Sequence, residues 1–414
     1  MKLKTILIVV LFVSNIFAQT QSAKVIGYLP SYQFSKYNQI EFCKLTHLNL
    51  CFANPDSSGN IIFPSITTVR NKALTDNPNI KIFISLAGGA VSSQQATDWS
   101  NLIDIAANRP AFIQKIVNFV LTNNLDGVDV DLEWSNVTSG YSPFLVELKQ
   151  ALTAQNKTLS AALPNNTLYS NLTSAGLAAL DFINIMAYDA TGPWAPNQPG
   201  QHSSSTFAQN GINFWKNTVG VPSNKLTLGV PFYGFDFVDS STVNAKTFSQ
   251  IVAMNTAYAQ LDNVGNLYYN GIPTIQNKVS MAKNQVAGIM MWELGQDSYD
   301  QYSLLSTIHS RYTSLGVTTT GLCGNEVTLD SDEFTSLDFQ VYPNPSTNFI
   351  NVVSNLTCTL ELYNSIGQKM LESFVNEGVS ENQINISNLT NGIYIAKFID
   401  QSGKSIKSMK IIKQ

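Results

Sequence analysis

Residues 125–134 read Leu-Asp-Gly-Val-Asp-Val-Asp-Leu-Glu-Trp, an alternation of acidic and apolar side chains. Side chains of a β-strand point to opposite faces in turn, so Asp129, Asp131 and Glu133 share one face and apolar residues share the other. If helices cover the apolar face, the three carboxyl groups point inward with Cα atoms about 7 Å apart. Such crowding raises the pKa of at least one carboxyl group, as general acid catalysis near neutral pH requires.

Seven further strand-like apolar runs occur between Lys24 and Leu315, separated by longer helical stretches. Eight strands alternating with helices over about 290 residues predict an α/β fold, the (β/α)8 TIM barrel. A doubly wound open sheet is disfavoured because no Gly-x-Gly-x-x-Gly follows the first strand. The eight predicted strands are Val25 to Leu29, Leu45 to Ala53, Ile80 to Leu86, Gly127 to Glu133, Thr158 to Leu163, Phe182 to Tyr188, Leu226 to Phe232 and Ala287 to Trp292.

An ordinary amphipathic strand with its acids in water is the alternative for residues 125–134. It is disfavoured because this strand is the fourth of eight and a barrel buries both faces of its strands. Barrel interiors normally hold Val, Ile and Leu, and barrel enzymes place their chemistry at the C-terminal ends of the strands. Glu133 is the last of the three acids, so its position indicates catalysis.

The 414 residues include 24 Lys and Arg, 28 Asp and Glu, three His and four Cys, and only 13% are charged. This sparse charge is typical of extracellular proteins, and a net charge of −4 without a basic block argues against a nucleic-acid partner. No Cys-x-x-Cys or His-Glu-x-x-His pattern occurs, so we expect neither a metal nor a cofactor. The pairing of Cys43, Cys51, Cys323 and Cys358 stays open, because four Cys allow three pairings.

The N-terminus predicts a cleaved secretory signal peptide over residues 1–18. Lys2 and Lys4 precede an apolar run from Ile6 to Val13, and Ala18 stands before a polar stretch. The run is too short to span about 30 Å of hydrocarbon. A buried N-terminal strand is the alternative.

Composition shifts after Leu315, and we predict a barrel domain over 24–315, a linker over 316–337 and a C-terminal domain over 338–414. The linker segment is rich in Thr, Gly and acidic residues and lacks apolar periodicity. Beyond it, short alternating runs separated by turn residues predict a small all-β sandwich. An adhesive or carbohydrate-binding module is the alternative for this domain.

Four motifs stand in order in the C-terminal domain: Tyr342-Pro343-Asn344-Pro345-Ser346, Leu362-Tyr363-Asn364 with Gly367-Gln368, Asn391-Gly392-Ile393-Tyr394 and Lys410-Ile411-Ile412-Lys413. Together they resemble the C-terminal sorting domain of the type IX secretion system of Bacteroidetes. The resemblance implies the type IX machinery as a partner and a secreted or cell-surface location. Removal of the domain and surface attachment by it both stay open.

Asp126-x-x-Asp129-x-Asp131-x-Glu133 is joined in strand order by Ser85-Leu86-Ala87-Gly88-Gly89, Met186-Ala187-Tyr188-Asp189, Val230-Pro231-Phe232-Tyr233-Gly234 and Met291-Trp292-Glu293-Leu294-Gly295-Gln296-Asp297. Over residues 24–312 the set resembles glycoside hydrolase family 18, the chitinase family. Ala87 stands where the family commonly has Gly, a departure that bears on how closely this turn approaches the fourth strand.

The resemblance implies a retaining mechanism in which the substrate supplies the nucleophile. Glu133 would be the general acid and base, and Asp131 would accept the N–H of the 2-acetamido group. Asp129 would share a proton or hydrogen bond with Asp131. Tyr188 would donate to the acetamido oxygen, and Asp189 would hold sugar hydroxyls or tune Glu133.

Apolar and aromatic residues at the strand ends are further candidates for sugar contact. Trp292 is expected as the floor under the reacting sugar, with a core Trp as the alternative. Tyr28, Phe52 and Tyr233 either line the same pocket or pack at the rim. Met186 joins the set through its place in the Met-x-Tyr-Asp motif.

The resemblance implies a substrate containing N-acetylglucosamine, with chitin or its oligomers first. An endo-β-N-acetylglucosaminidase acting on N-glycan cores is the alternative enzyme, and a barrel that only binds chitin or glycan is an alternative of another class. Residues 235–286 are short for the α+β insertion of some members, which predicts an open cleft and endo-type cleavage. We expect a monomer.

Overall fold

The structure is a computed structural model that describes residues 22–319, 340–354, 357–364, 367–376, 382–399 and 405–414. The chain divides into two compact units, residues 1–326 and 327–414. The predicted signal peptide and residues 320–337 of the predicted linker lie outside the described residues. Within the described ranges, no helix is both long and apolar enough to cross a membrane.

The first unit contains eight parallel strands that close into a barrel, which confirms the predicted (β/α)8 fold. The strands are β1 (Lys24–Pro30), β2 (His47–Pro55), β3 (Lys81–Ala87), β4 (Gly127–Asp131), β5 (Thr158–Pro164), β6 (Phe182–Met186), β7 (Leu226–Pro231) and β8 (Gly288–Trp292). Neighbours in the barrel are neighbours in sequence, and β1 closes it by pairing with both β8 and β2.

The two faces of β4 are buried in different layers, as its alternation predicts. Val128 and Val130 join the apolar core that contains the helices, whereas Asp129 and Asp131 are buried on the opposite face. Asp126 lies just before the strand, and its Oδ2 accepts a backbone N–H of β3 at 2.9 Å. The strand therefore carries two buried carboxyl groups into the barrel interior.

Helices form the outer layer of the barrel and bury an apolar stripe against the strands. In the helix Arg109–Thr122, Pro110 lies in the first turn, and Phe112, Ile116 and Val120 are buried at helical spacing. The α-helices of this unit are α1 (Thr67–Asp76), α2 (Ser93–Ile103), α3 (Arg109–Thr122), α4 (Tyr141–Thr153), α5 (Ser174–Ala179), α6 (Ser205–Asn213), α7 (Phe248–Met254), α8 (Ile272–Gln285) and α9 (Leu304–Ser314). Short 3-10 segments lie at Ser31–Gln39, Phe42–Lys44, Trp134–Asn136, Ser223–Lys225, Thr256–Gln260 and Leu294–Gln296, and a π-helical turn lies at Phe214–Thr218.

A small α+β insertion lies between β7 and α8, contrary to the expectation that this segment is too short for one. It holds α7 and a four-stranded antiparallel sheet in the order Val243–Thr247, Tyr233–Phe237, Leu267–Tyr268, Asn263–Val264. A short pairing extends the barrel sheet, where Ile61–Ile62 runs antiparallel to the end of β2.

The second unit consists of two antiparallel sheets around one apolar core, which confirms the predicted small all-β domain. Its strands are β9 (Gln340–Tyr342), β10 (Phe349–Val353), β11 (Cys358–Tyr363), β12 (Lys369–Val375), β13 (Asn382–Asn385), β14 (Gly392–Ile399) and β15 (Ser405–Lys413). One sheet has the order β9-β10-β13 and the other β12-β11-β14-β15. Ile350 and Val352 of the first sheet share the core with Leu360, Leu362 and Phe398 of the second.

The cysteines differ in state. Cys51 in β2 and Cys358 in β11 are buried free thiols, and Cys43 is disulfide-bonded. Cys323 lies outside the described residues.

Candidate active site

A cleft of about 1110 Å³ opens at the carboxyl ends of the barrel strands. Most barrel strands contribute a lining residue at or near their carboxyl end. This is the face of a TIM barrel where active sites lie. Metal-binding groupings of three or more His, Cys, Asp or Glu are absent from the described part of the chain. The candidate residues that line the cleft are Tyr28, Phe52, Asp131, Glu133, Met186, Tyr188, Asp189 and Trp292.

Asp129 lies deepest of the three acids and is fully hydrogen-bonded. Tyr28 Oη and Ser85 Oγ each donate to its Oδ2 at 2.7 Å. Ser160 Oγ donates to Oδ1 at 2.7 Å, and Asn184 Nδ2 donates to the same oxygen at 3.2 Å. Burial raises the pKa of Asp129, and these four donors oppose that rise. Asp129 is therefore held in one position by neighbouring strands.

Asp131 follows on the same face and has a different environment. It is 4% exposed, and its buried Oδ1 has no hydrogen-bond partner among the described residues. Burial and the neighbouring charges of Glu133 and Asp129 raise its pKa well above the ordinary value. An unpartnered buried carboxyl oxygen is costly, so this atom has capacity to accept a hydrogen bond from a ligand.

Glu133 lies just past the end of β4, on the cleft wall. Burial raises its pKa to about 7, and the charge of Asp189 adds to that rise. A carboxyl group with this pKa exists in both protonation states at neutral pH, as a group that acts first as acid and then as base requires. The environment of Glu133 thus matches the role that the sequence predicts.

The turn after β3 leaves the space that Glu133 occupies. A Cβ atom at Gly89 would lie 2.6 Å from Glu133 Oε1, so a side chain there would displace the carboxyl group. Ala87 adopts a φ of 77°, which glycine adopts more readily, and Gly88 N donates to Asp131 O at 3.0 Å. The turn therefore reaches the fourth strand although Ala replaces the common Gly.

Tyr188 and Asp189 follow β6 and line the same cleft as Glu133. Tyr188 is buried, with its hydroxyl 3.9 Å from Met290 Sδ, and burial next to Asp131 raises its pKa well above the ordinary value. Asp189 has a φ of 64°, and its Oδ1 accepts the hydroxyl of Tyr233 at 2.5 Å. Of the two alternatives for Tyr233, lining the pocket or packing at the rim, this arrangement favours packing, because Tyr233 bonds Asp189 and is not among the residues that line the cleft.

The aromatic floor of the cleft is formed by Trp292 and two neighbours. The rings of Trp292 and Phe52 stack with centroids 5.4 Å apart, and Tyr28 meets Trp292 edge-on at 5.8 Å. Met186 belongs to the same cluster. Tyr28 also donates to Asp129, so a single side chain links the floor to the buried acid.

Three exposed aromatic side chains of the cleft are absent from the sequence prediction. Tyr32, Trp134 and Trp194 are 70%, 62% and 60% exposed. They follow the ends of β1, β4 and β6 by two, three and eight residues, and this placement after the strand ends is the signal that could have identified them. Large exposed rings beside a cleft are suited to stacking on sugars.

Two segments of the chain match family models. The model described as glycosyl hydrolases family 18 matches residues 24–297, and the chain belongs to this family. The model described as secretion system C-terminal sorting domain matches residues 340–414, which confirms the resemblance of the last domain and indicates a secreted or cell-surface protein.

Known proteins with similar chains include chitinases. A GH18 chitinase from the chitin utilization locus of Flavobacterium johnsoniae is 55% identical, with a TM-score of 0.73, over 75% of this chain and 100% of that one. A chitinase structure from Bacteroides thetaiotaomicron is 28% identical, with a TM-score of 0.62, over 70% and 96%. Chitinase A1 of Niallia circulans is 26% identical over 67% of this chain, which spans 57% of that relative's length.

Proposed function

We propose that this protein hydrolyses β-1,4 linkages of N-acetylglucosamine polymers, chitin or its oligomers, with retention of configuration. One observation carries the proposal: Glu133, with a pKa of about 7, stands beside Asp131, which has a buried unpartnered oxygen. The first is suited to donate a proton, and the second to accept the N–H of an acetamido group. Membership in family 18 and the similarity to chitinases support the same reaction.

In the first step, Glu133 gives its proton to the glycosidic oxygen and the bond from that oxygen to the anomeric carbon breaks. The carbonyl oxygen of the substrate's own acetamido group attacks the anomeric carbon, and an oxazolinium ion forms. In the second step, the Glu133 carboxylate takes a proton from water, and the water oxygen attacks the anomeric carbon. The bond from that carbon to the acetamido oxygen breaks, which opens the oxazolinium ring. Two displacements at one carbon retain its configuration.

Asp131 stabilises this intermediate by accepting the acetamido N–H, which becomes more acidic as positive charge develops on the ring. Asp129 is fixed by its four donors, so it provides Asp131 with a neighbour of constant position. Tyr188 donates its hydroxyl to the acetamido oxygen. Asp189 holds a sugar hydroxyl, and its charge adds to the effect of burial, which raises the pKa of Glu133 to about 7.

Trp292 is the platform under the reacting sugar, with Phe52 stacked against it and Tyr28 and Met186 completing the wall. No residue of the insertion between β7 and α8 is among those that line the cleft, although this whole segment is described. That arrangement supports an open cleft and endo-type cleavage. Glu133, Asp131, Tyr188 and Asp189 all belong to one barrel, and we also propose that the protein acts as a monomer.

Product analysis with wild type and Glu133→Gln tests the proposal. The wild type should cleave N-acetylglucosamine oligomers to products that are first in the β configuration, and Glu133→Gln should not. Cleavage of a high-mannose glycopeptide alone would indicate the endo-β-N-acetylglucosaminidase, and turnover of neither substrate would leave a binding protein. Products first in the α configuration would refute the substrate-assisted mechanism.

For localisation, we propose cleavage of residues 1–18 during export, a linker over 316–337 and outer-membrane passage that depends on residues 338–414. The match to a sorting domain supports the last part. Deletion of residues 338–414 should leave active protein in the periplasm, whereas unchanged secretion of the truncated chain would contradict it.

A further inference from the structure

A buried pair, His202 and Ser203, lies directly behind the segment that carries Tyr188 and Asp189. Both residues of the pair are 0% exposed, and they immediately precede Ser204, the N-cap of α6. Neither lines the cleft, so neither has a direct role in the chemistry described above.

The pair makes three hydrogen bonds to residues 187–190. Ser203 Oγ donates to Ala187 O at 2.6 Å, and Ala190 N donates to His202 O at 3.0 Å. Between them, Asp189 N donates to His202 Nδ1 at 3.4 Å. His202 Nδ1 also lies 3.4 Å from Asp189 Oδ1, and Nε2 lies 3.3 Å from Tyr233 O.

The segment needs such support because of its backbone conformation. Asp189 has a φ of 64°, in the left-handed region that side-chain-bearing residues seldom adopt. A conformation of this kind persists where surrounding contacts hold it. The three bonds flank and include Asp189, so they are placed to hold this turn.

A buried lysine holds the pair from the opposite side. Lys278 of α8 is 0% exposed, and its Nζ donates at 2.7 Å to Ser203 O, to Ser203 Oγ and to Asn270 Oδ1. Asn270 Nδ2 also donates to Ser203 O at 2.9 Å. Burial lowers the pKa of Lys278 to about 7. A buried amino group is costly without hydrogen-bond partners, and two of its three bonds here are to Ser203.

We propose that His202 and Ser203, supported by Lys278, are positioning residues that hold Tyr188 and Asp189 in the geometry that the reaction requires. This inference rests on the proposed hydrolase function, in which Tyr188 and Asp189 contact the reacting sugar. Its key element is the acceptor at His202 Nδ1, because that atom bonds the strained residue itself.

Two substitutions of His202 separate positioning from packing. His202→Asn places an oxygen near the position of Nδ1 but removes the ring that contacts Tyr233 and Phe235. His202→Phe keeps a ring of similar shape and removes the acceptor. Thr46→Val is the control, since Thr46 is a buried hydroxyl bonded to Val25 O that does not line the cleft.

We expect kcat on N-acetylglucosamine oligomers to fall about 10- to 100-fold in His202→Phe, with KM within about twofold, because misplaced groups weaken transition-state contacts. His202→Asn should retain at least about a third of wild-type kcat. His202→Asn, which keeps a hydrogen-bond acceptor, should have a higher kcat than His202→Phe, whichever of the two has the higher melting temperature. If kcat instead follows the melting temperature across the three variants, the positioning role is wrong.

The pH profile adds a readout that loss of packing alone does not move. The groups that interact with Glu133 are Asp189, Asp131, Tyr169, Tyr188 and Tyr233. If Asp189 moves away in His202→Phe, the pKa of Glu133 falls and the basic limb of kcat/KM shifts to lower pH. The limb should stay in place in His202→Asn and Thr46→Val, and an unshifted limb in His202→Phe would overturn the proposal.

A wild type without turnover would refute the proposed function, and the inference then has its own structural test. A crystal structure of His202→Phe should show Asp189 outside the left-handed region with Tyr188 displaced. An unchanged turn over residues 187–190 would show that the pair does not hold it.

Discussion

Asp129 and Asp131 are two residues apart on the same face of β4, yet they differ in their hydrogen-bond partners. Asp129 accepts four side-chain hydrogen bonds below the cleft. Asp131 borders the cleft with a buried oxygen that has no partner among the described residues. The satisfied acid fixes the structure, whereas the unsatisfied acid is left with binding capacity for a ligand. Stability and activity should therefore respond differently to substitution at the two positions.

Of the two aspartate substitutions, Asp131→Asn should give the larger effect on activity and little effect on stability. We expect kcat to fall about 100- to 1000-fold because the group that faces developing positive charge becomes neutral. The free energy of unfolding should be unchanged or higher, since a buried carboxyl group crowded by two others becomes an amide. Oligomer kinetics and urea denaturation measure the two quantities, and a large loss of stability would abolish the contrast.

Asp129→Asn should reverse the balance. The substitution replaces one carboxylate oxygen with an NH2 group, which cannot accept hydrogen bonds from the surrounding donors. We therefore expect the free energy of unfolding to fall by about 1–3 kcal/mol. Activity should fall about tenfold, through small movements of the neighbouring acid. The same two measurements apply, and a stability equal to that of the wild type would show that the four donors do not hold the strand.

Glu133→Gln should flatten the pH dependence of stability. The pKa of Glu133 is raised from 4.5 to about 7 in the folded protein, so the folded state binds more protons between these values. Its contribution is fully present below the unfolded pKa and is lost as pH rises through 7. Melting temperatures from pH 4.5 to 7 should therefore fall less in the variant, whereas equal slopes would show an ordinary pKa at Glu133.

Trp194→Ala should give the smallest effect and test the outer part of the cleft. Trp194 is 60% exposed, so the free energy of unfolding should change by less than about 0.5 kcal/mol. We expect KM for long oligomers to rise about three- to tenfold, from lost stacking, with short oligomers unaffected. Met254→Ala, a similarly exposed residue that does not line the cleft, is the control. A KM that rises equally in both variants would argue against a sugar platform.

Much of the barrel and of its acidic strand could be predicted because both follow from local patterns. The period-two alternation at residues 125–134 determines which side chains share a face, and a barrel requires the apolar face to lie under the helices. Asp126 is three residues before Asp129 and so is out of step with the three inward acids. Its carboxylate instead accepts a backbone N–H of β3. Local pattern therefore sufficed wherever a single strand determined the geometry.

Contacts between distant segments could not be predicted in this way. Ser203 and Lys278 are far apart in sequence, and only the packing of α8 beside α6 brings them together. Tyr233 had the residue type and position of a cleft aromatic, but its hydroxyl bonds Asp189 from behind. The insertion was missed because its strands are as short as two residues and have no detectable period.

The unpartnered oxygen of Asp131 has a consequence for selectivity. A glucose polymer such as cellulose matches the length and linkage of chitin but carries a hydroxyl in place of the acetamido group, so it brings neither the N–H nor the internal nucleophile. Sites built to bond a substrate N–H or O–H reject analogues that lack it by about 10⁴- to 10⁵-fold. Discrimination between the two polymers thus needs no steric barrier, and a widened cleft should admit cellulose without cleaving it.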